Sequence, residues 1–343
     1  MKLCNTILAG GALLGLASAW TVAPTTPAVA QQFNAKQVRL IIGFGPGGGY
    51  DQYGRIVGRF IDKHLPGNPT IVPQNMPGAG SIAAANTIYA NSPKDGSVFG
   101  IIARDAVTQP LTTDNSGAKF DADKISWLGS PAAETNVCVA TDRAKVHTFQ
   151  ALLKDELIIG GTGAGTGTEI YPKALNGLIG TKFKLVSGYP SSTDVFLAME
   201  RGEVHGICES YSSVVRKDAE AIKSGKIKIL FQAALKNNPE VKAPFLLDLV
   251  TNKEDHQALE FIYAGQTIGR PFMAPPDLPP AILKTLRAAF DATMKDPEFL
   301  KEAEKQKLDI DPVSGEELEK VVRVTYATPK SVIDRVKKLS GAK

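Results

Sequence analysis

The stretch Val38-Arg39-Leu40-Ile41-Ile42-Gly43-Phe44-Gly45-Pro46-Gly47-Gly48-Gly49-Tyr50-Asp51 decides how this chain folds. It opens with a near-continuous apolar run, the pattern of a strand buried on both faces. Then five of seven residues are glycine, from Gly43 to Gly49. Helical periodicity follows, with Tyr53, Ile56, Val57, Phe60 and Ile61 on one face. The reading is strand, bare turn, helix. Glycine has no side chain to hold a ligand away, so backbone N–H groups and a helix N-terminus are presented together. Both favour an anion.

Working outward, the pattern repeats. Thr70 to Val72 reads as a strand running into a second glycine turn, Asn75-Met76-Pro77-Gly78-Ala79-Gly80-Ser81, and a small-residue helix. Pro93 to Gly96 is a turn, Val98 to Ala103 a third strand, and Arg104-Asp105 follows it. The order β-α-β-α-β predicts a parallel sheet whose ligand lies beyond the strand carboxyl ends. Trp127 to Thr141 reads as strand, with a first crossing to a second domain there. A second series begins at Leu157 and carries its own glycine loop, Gly160 to Thr168. Turns at Gly188 to Ser192 and at Glu209 to Tyr211 follow its next strands, and the chain crosses back near Gly269 to Pro276. The expected layout is a signal segment over 1–30, one lobe from 31–133 and 268–343, a second lobe from 134–267, and a cleft between them.

The chain has 343 residues, 43% of them hydrophobic and 22% charged, an ordinary globular composition with room for two domains. Its formal charge of +4 is spread along the chain and makes no case for nucleic acid. Lys2, the apolar run Ile7 to Ala19 and the small-x-small Ala28-Val29-Ala30 predict an export signal cut after Ala30. That removes Cys4 and leaves Cys138 and Cys208 as an even pair in an oxidising compartment. They read either as a disulfide or as two buried thiols.

Gly43-x-Gly45-x-x-Gly48 matches the dinucleotide fingerprint, but no acidic residue stands about twenty positions on, where Gly67 to Gln74 lies. The 160–168 loop lacks the Lys-Ser/Thr ending of a phosphate loop. The four histidines, His64, His147, His205 and His256, are scattered without metal-ligand spacing. There is no Gly-x-Ser-x-Gly elbow. Asp51, Glu169 and Asp194 suit a helix first turn, and Asp51 either orients its glycine loop or receives a ligand amine. Arg104 either grips a carboxylate or is exposed or internally paired. Tyr189 and Tyr211 either wall the pocket or pack between helices.

At the 43–51 and 75–81 turns the sequence resembles the periplasmic receptors of tripartite tricarboxylate transporters, also called the Bug family. Pro93-Lys94-Asp95-Gly96, the Gly163 to Thr168 loop, Gly202-Glu203-Val204 and Ala274-Pro275 extend the likeness over the mature chain. The resemblance implies an α/β, two-lobed, type II periplasmic-binding-protein fold of the Venus flytrap kind. It implies a monomer that binds a small organic carboxylate without cofactor, metal or catalysis and docks on a two-subunit membrane permease.

Its anchors would be Pro46, Gly47, Gly48, Gly49, Tyr50 and Asp51, with Gly78, Ala79, Gly80 and Ser81. Gly163, Gly165, Thr166, Gly167, Thr168, Tyr189, Ser191, Ser192 and Glu209 would select the rest of the ligand. Arg104 and Asp105 depart from the family's usual small neutral residues and suggest an extra recognised charge. Pro329 is expected to break the last helix. The competing readings are a periplasmic sensor feeding a signalling kinase and an exported hydrolase or isomerase.

Overall fold

The computed structural model describes residues 32–113 and 117–340; the expected signal segment and Cys4 lie outside them. In chain order the elements are β1 (Gln37–Ile42), α1 (Gly49–Phe60), β2 (Thr70–Asn75), α2 (Ile82–Asn91), β3 (Val98–Ile101), α3 (Gln109–Thr112) and β4 (Ser126–Ser130). There follow β5 (Asn136–Thr141), α4 (Phe149–Leu152), β6 (Leu157–Gly161), α5 (Gly167–Ile179), β7 (Phe183–Ser187), α6 (Ser192–Arg201), β8 (Gly206–Ser210), α7 (Tyr211–Ser224), β9 (Ile227–Ala233) and α8 (Lys253–Ile268). The chain closes with β10 (Phe272–Ala274), α9 (Pro280–Lys295), α10 (Pro297–Lys305), β11 (Val313–Ser314), α11 (Gly315–Tyr326) and α12 (Lys330–Ser340).

These strands form two sheets, ordered β11-β4-β10-β3-β1-β2 and β7-β6-β8-β5-β9. The same plan governs both. Three parallel strands (β2-β1-β3 and β7-β6-β8) are followed by one antiparallel strand, β10 or β5, that enters from the other half. The apolar run of β1 is explained by two-sided burial. Val38, Leu40 and Ile42 pack with Tyr53, Ile56 and Val57 of α1, while Ile41 packs with Ile82, Ala85 and Ile88 of α2. No helix among the described residues is long and apolar enough to cross a membrane.

The two crossings lie side by side. Trp127 to Thr141 is not one strand, as expected, but β4 and β5 separated by 131–135, where the chain passes between sheets. The return at Gly269-Arg270 packs against that segment. Gly269 adopts φ 66°, and an added Cβ would sit 1.7 Å from the Ala132 carbonyl oxygen. Only glycine lets the backbones approach so closely. Arg270 N–H donates to Ser130 Oγ at 2.8 Å, and its Nε meets Glu134 Oε1 at 2.6 Å with both side chains buried.

Pro329 ends α11 and frees α12, as expected. That last helix packs with Val336 in the core shared by α5 and α8. It therefore rides on the second sheet's layers, whereas the sequence expectation placed all of 268–343 with the first lobe. Ser314 and Glu317 form a capping box at the start of α11. The similar spacing at Ser191 gives something else: Ser191 Oγ donates to Asp194 Oδ2 at 2.7 Å and caps no backbone N–H.

Asp296 caps α10 by accepting from Glu298 and Phe299 N–H, and it also meets Lys63 and His64. Burial alone would raise its carboxyl, but these donors outweigh it and hold the pKa at about 2. A depressed folded pKa stabilises above the unfolded value near 3.9 and is lost as pH falls toward 2. Thermal melts should therefore show wild type and Asp296→Asn converging between about pH 4 and pH 2, with wild type the more stable above.

Cys138 and Cys208 are joined in a disulfide between directly opposed residues of β5 and β8, closing 70 residues of sequence separation. Replacing both by serine should cost about 4 kcal/mol in urea unfolding; an unchanged midpoint would contradict a stabilising bridge.

Candidate ligand-binding site

The first glycine turn is organised from within. Asp51, in the first turn of α1, accepts from Gly47 N–H at 2.9 Å, Arg55 Nε at 2.9 Å and Asn75 Nδ2 at 2.7 Å. Asn75 is the last residue of β2, opposite Ile42, and also donates to the Phe44 carbonyl at 2.8 Å. One buried carboxylate thus ties the loop to its helix and to the neighbouring strand. Three of its roughly four acceptor positions are used in this way, so the contacts in the structure are those of a residue that orients the turn.

The second half repeats the device with different residues. Glu169, in the first turn of α5, accepts from Gly163 N–H and Lys173 Nζ, each at 3.0 Å, and from Ser187 Oγ. Ser187 ends β7 opposite Gly161, as Asn75 ends β2. In both halves a buried first-turn acid is paired with a cation four residues on. It also pins a loop amide and the end of the adjacent edge strand. The sequence reading saw in Glu169 only a partner of the helix dipole. Its i,i+4 lysine was a usable signal, whereas Ser187 is eighteen residues away and only folding brings it in.

These turns meet around one small cavity. Gly48, Gly49 and Tyr50 bring the start of α1, Thr166, Gly167 and Thr168 that of α5, and Ser191 and Ser192 that of α6. First-turn N–H groups have no acceptor inside their own helix, so three positive helix ends face one space. Tyr50 is stacked between Phe44, with centroids 4.7 Å apart, and the Arg270 guanidinium at 4.6 Å. Arg270 also donates to Ser210 Oγ at 2.9 Å, across the two halves.

Arg104 is the second buried cation, 3% exposed. Its Nη2 donates to Asn136 Oδ1 at 2.6 Å, and its backbone N–H donates to Tyr50 Oη at 3.1 Å. The Nε and Nη1 atoms are buried, with the Tyr171 phenol set against the guanidinium. Asp105 beside it accepts from Gly167 N–H at 2.8 Å. Burial pushes its carboxyl up and nearby Glu209 adds to this, while Arg104 and the Gly167 amide pull it back. Burial would lower both arginines. Surrounding phenols and carboxylates more than offset this and keep them cationic.

Of the expected site residues, Gly48, Gly49, Tyr50, Arg104, Asp105, Thr166, Gly167, Thr168, Ser191, Ser192 and Glu209 line this cavity. Pro46, Gly47, Asp51, Gly78, Ala79, Gly80, Ser81, Gly163, Gly165 and Tyr189 are not among its lining residues. Several of these meet across the halves instead. A Cβ on Gly80, whose φ is 62°, would come 2.7 Å from Thr166 Cγ2, and one on Gly163 would come 2.7 Å from Gly80 N. Gly45 N–H donates to the Pro190 carbonyl at 3.0 Å. Gln109 Nε2 donates to Ala164 O at 2.7 Å. Ser81 Oγ is taken up by Ala103 N–H.

Sequence reasoning missed Phe44, Ala103, Asn136, Thr162, Cys208 and Arg270. Arg270 sat in the crossing that was recognised, but nothing local marked its side chain. If Asp51 and Glu169 set their loops, Asp51→Asn and Glu169→Gln should each cost about 1–3 kcal/mol in urea unfolding. Both should also weaken ligand binding, although neither lines the cavity. Unchanged midpoints in both would refute the shared device.

The fold has recognisable relatives. A protein of Cupriavidus necator, the UPF0065 protein in gbd 5'region, is 24% identical over 340 residues, covering 96% of this chain and 95% of its own. The structure of periplasmic binding protein BugD superposes with TM-score 0.68 at 18% identity over 90% of this chain and 98% of that one. MatC from Rhodopseudomonas palustris with bound malate gives TM-score 0.69 at 18% identity over 89% and 98%. Both share the two-lobed α/β periplasmic-binding fold. The model of the tripartite tricarboxylate transporter family receptor matches residues 55–337. The chain belongs to that solute-binding receptor family.

Proposed function

We propose that this protein captures a small organic carboxylate outside the cytoplasmic membrane and delivers it to a two-subunit permease of the tripartite tricarboxylate kind. The observation that carries the reading is Arg104. It is a buried guanidinium on the wall of a cavity that the first residues of three helices also line. A carboxylate is the group that suits both. The malate in MatC is consistent with this. In this reading residues 31–133 and 268–343 form one lobe, except that α12 is carried by the lobe of 134–267. The lobes swing about the paired crossings, and the ligand favours closure because only then do both lobes touch it.

The test is a thermal-shift screen of organic acids followed by titration calorimetry. A ligand at a hundred times its dissociation constant should add about 2.7 kcal/mol to stability. Arg104→Met should then weaken binding about tenfold to a hundredfold, the loss of charge-assisted hydrogen bonds worth about 1.5–3 kcal/mol. Gly80→Ala should weaken it too, by wedging a methyl against Thr166 when the lobes close. Full affinity in both variants, or no stabilisation by any acid, would reject the proposal.

A further inference from the structure

We propose that the segment from Arg104 to Thr112 is a latch between the halves that favours closure before any ligand arrives, with Gln109 as its positioning residue. The latch acts in the empty protein and so goes beyond the receptor reading.

The segment follows β3 and is rooted in the first half. Ala103, Ala106 and Val107 pack in a core with Ile41 and Trp127. Ala103 N–H donates to Ser81 Oγ at 2.7 Å, and the Val107 carbonyl accepts from Tyr326 Oη of α11 at 2.9 Å. Its side chains turn to the second half. Arg104 Nη2 donates to Asn136 Oδ1 of β5 at 2.6 Å, and Asp105 Oδ2 accepts from Gly167 N–H of α5 at 2.8 Å. Gln109 Nε2 donates to the Ala164 carbonyl at 2.7 Å. Leu111 packs against the second half's core. One short stretch thus stands on one half and holds the other at three points.

Gln109 is the member that separates a latch from a ligand contact. Arg104 and Asp105 line the cavity, whereas Gln109 is not among its lining residues. It is 2% exposed, and a Cβ on Gly165 would stand 2.1 Å from its Nε2. The amide therefore sits directly on the bare loop, at a glycine whose φ of 86° suits no other residue well. That loop leads into Thr166, Gly167 and Thr168 at the cavity. The groups it offers, the Ala164 carbonyl and the Gly167 N–H, are backbone, so these bonds form without a ligand. When the halves part, each bond is exchanged for water at a modest net cost. The latch therefore biases closure and does not lock it. Apparent affinity then rises with the fraction already closed.

The experiment uses purified protein shown to be ligand-free by native mass spectrometry. It reads amide hydrogen exchange and, by X-ray scattering, the radius of gyration. Gln109→Ala should speed exchange in the facing loops, 43–47 and 163–168, about tenfold, the worth of one hydrogen bond, and should enlarge the radius. The middle of α5 should exchange as before, whereas a merely structural role would speed it too. Gly165→Ala, which wedges a methyl against Gln109, should open the protein in the same way. In the Gln109→Ala background it should open it no further. If one variant fails to fold, the other decides. Wild type and variants sharing one radius and one exchange rate, whether open or closed, would overturn the latch. So would faster exchange spread through α5. No acid enters this test, so its failure leaves the carboxylate reading standing, and failure of every acid to bind would leave the latch standing.

Discussion

The buried Arg270–Glu134 pair is the interaction on which the two halves depend. Its members sit on the two segments that cross between the sheets, and both are shielded from water. A pair in that setting is weak as net stabilisation but costly to break, because each partner would leave the other charged and unmatched. It therefore fixes where the crossings lie relative to each other. The same guanidinium covers Tyr50 and reaches Ser210, so one side chain ties the crossings to both walls of the cavity.

Around that joint the molecule uses one solution twice. Each half offers a strand, a glycine loop and a helix start, held by a buried acid that meets the loop, a cation one turn on and the end of the edge strand. Asp51 and Glu169 differ in length, and the loop amides they hold lie four and six residues upstream. The chemistry is the same: each acid accepts within its own half, while the first amide of α5 is met from the other half by Asp105.

The site residues divide by how they were legible. Bare amides at helix starts were readable, because glycine density after a strand signals them directly. Glu209 and Arg104 were readable as polar residues at strand ends. The Gly78 to Ser81 turn was legible as a turn but not in its role. It stands where the halves touch, and only the packing of Gly80 against Thr166 and Gly163 reveals that. Arg270 and Asn136 were invisible, since each acts through a partner more than thirty residues distant in sequence.

Sequence alone determined the parallel β-α units, the two series, the crossings and the anion-friendly turns, because apolar period, glycine and proline act locally. Tertiary structure decided the rest. It joined Cys138 to Cys208, which sequence had left open between bridge and thiols, by setting β5 beside β8. It sent α12 to the second half, where Val336 finds a core, although chain order suggested the first. It also turned Asp51 toward its own loop and buried Arg104 at the cavity wall. Whether a charged group is consumed or available depends on neighbours that come together only when distant segments pack.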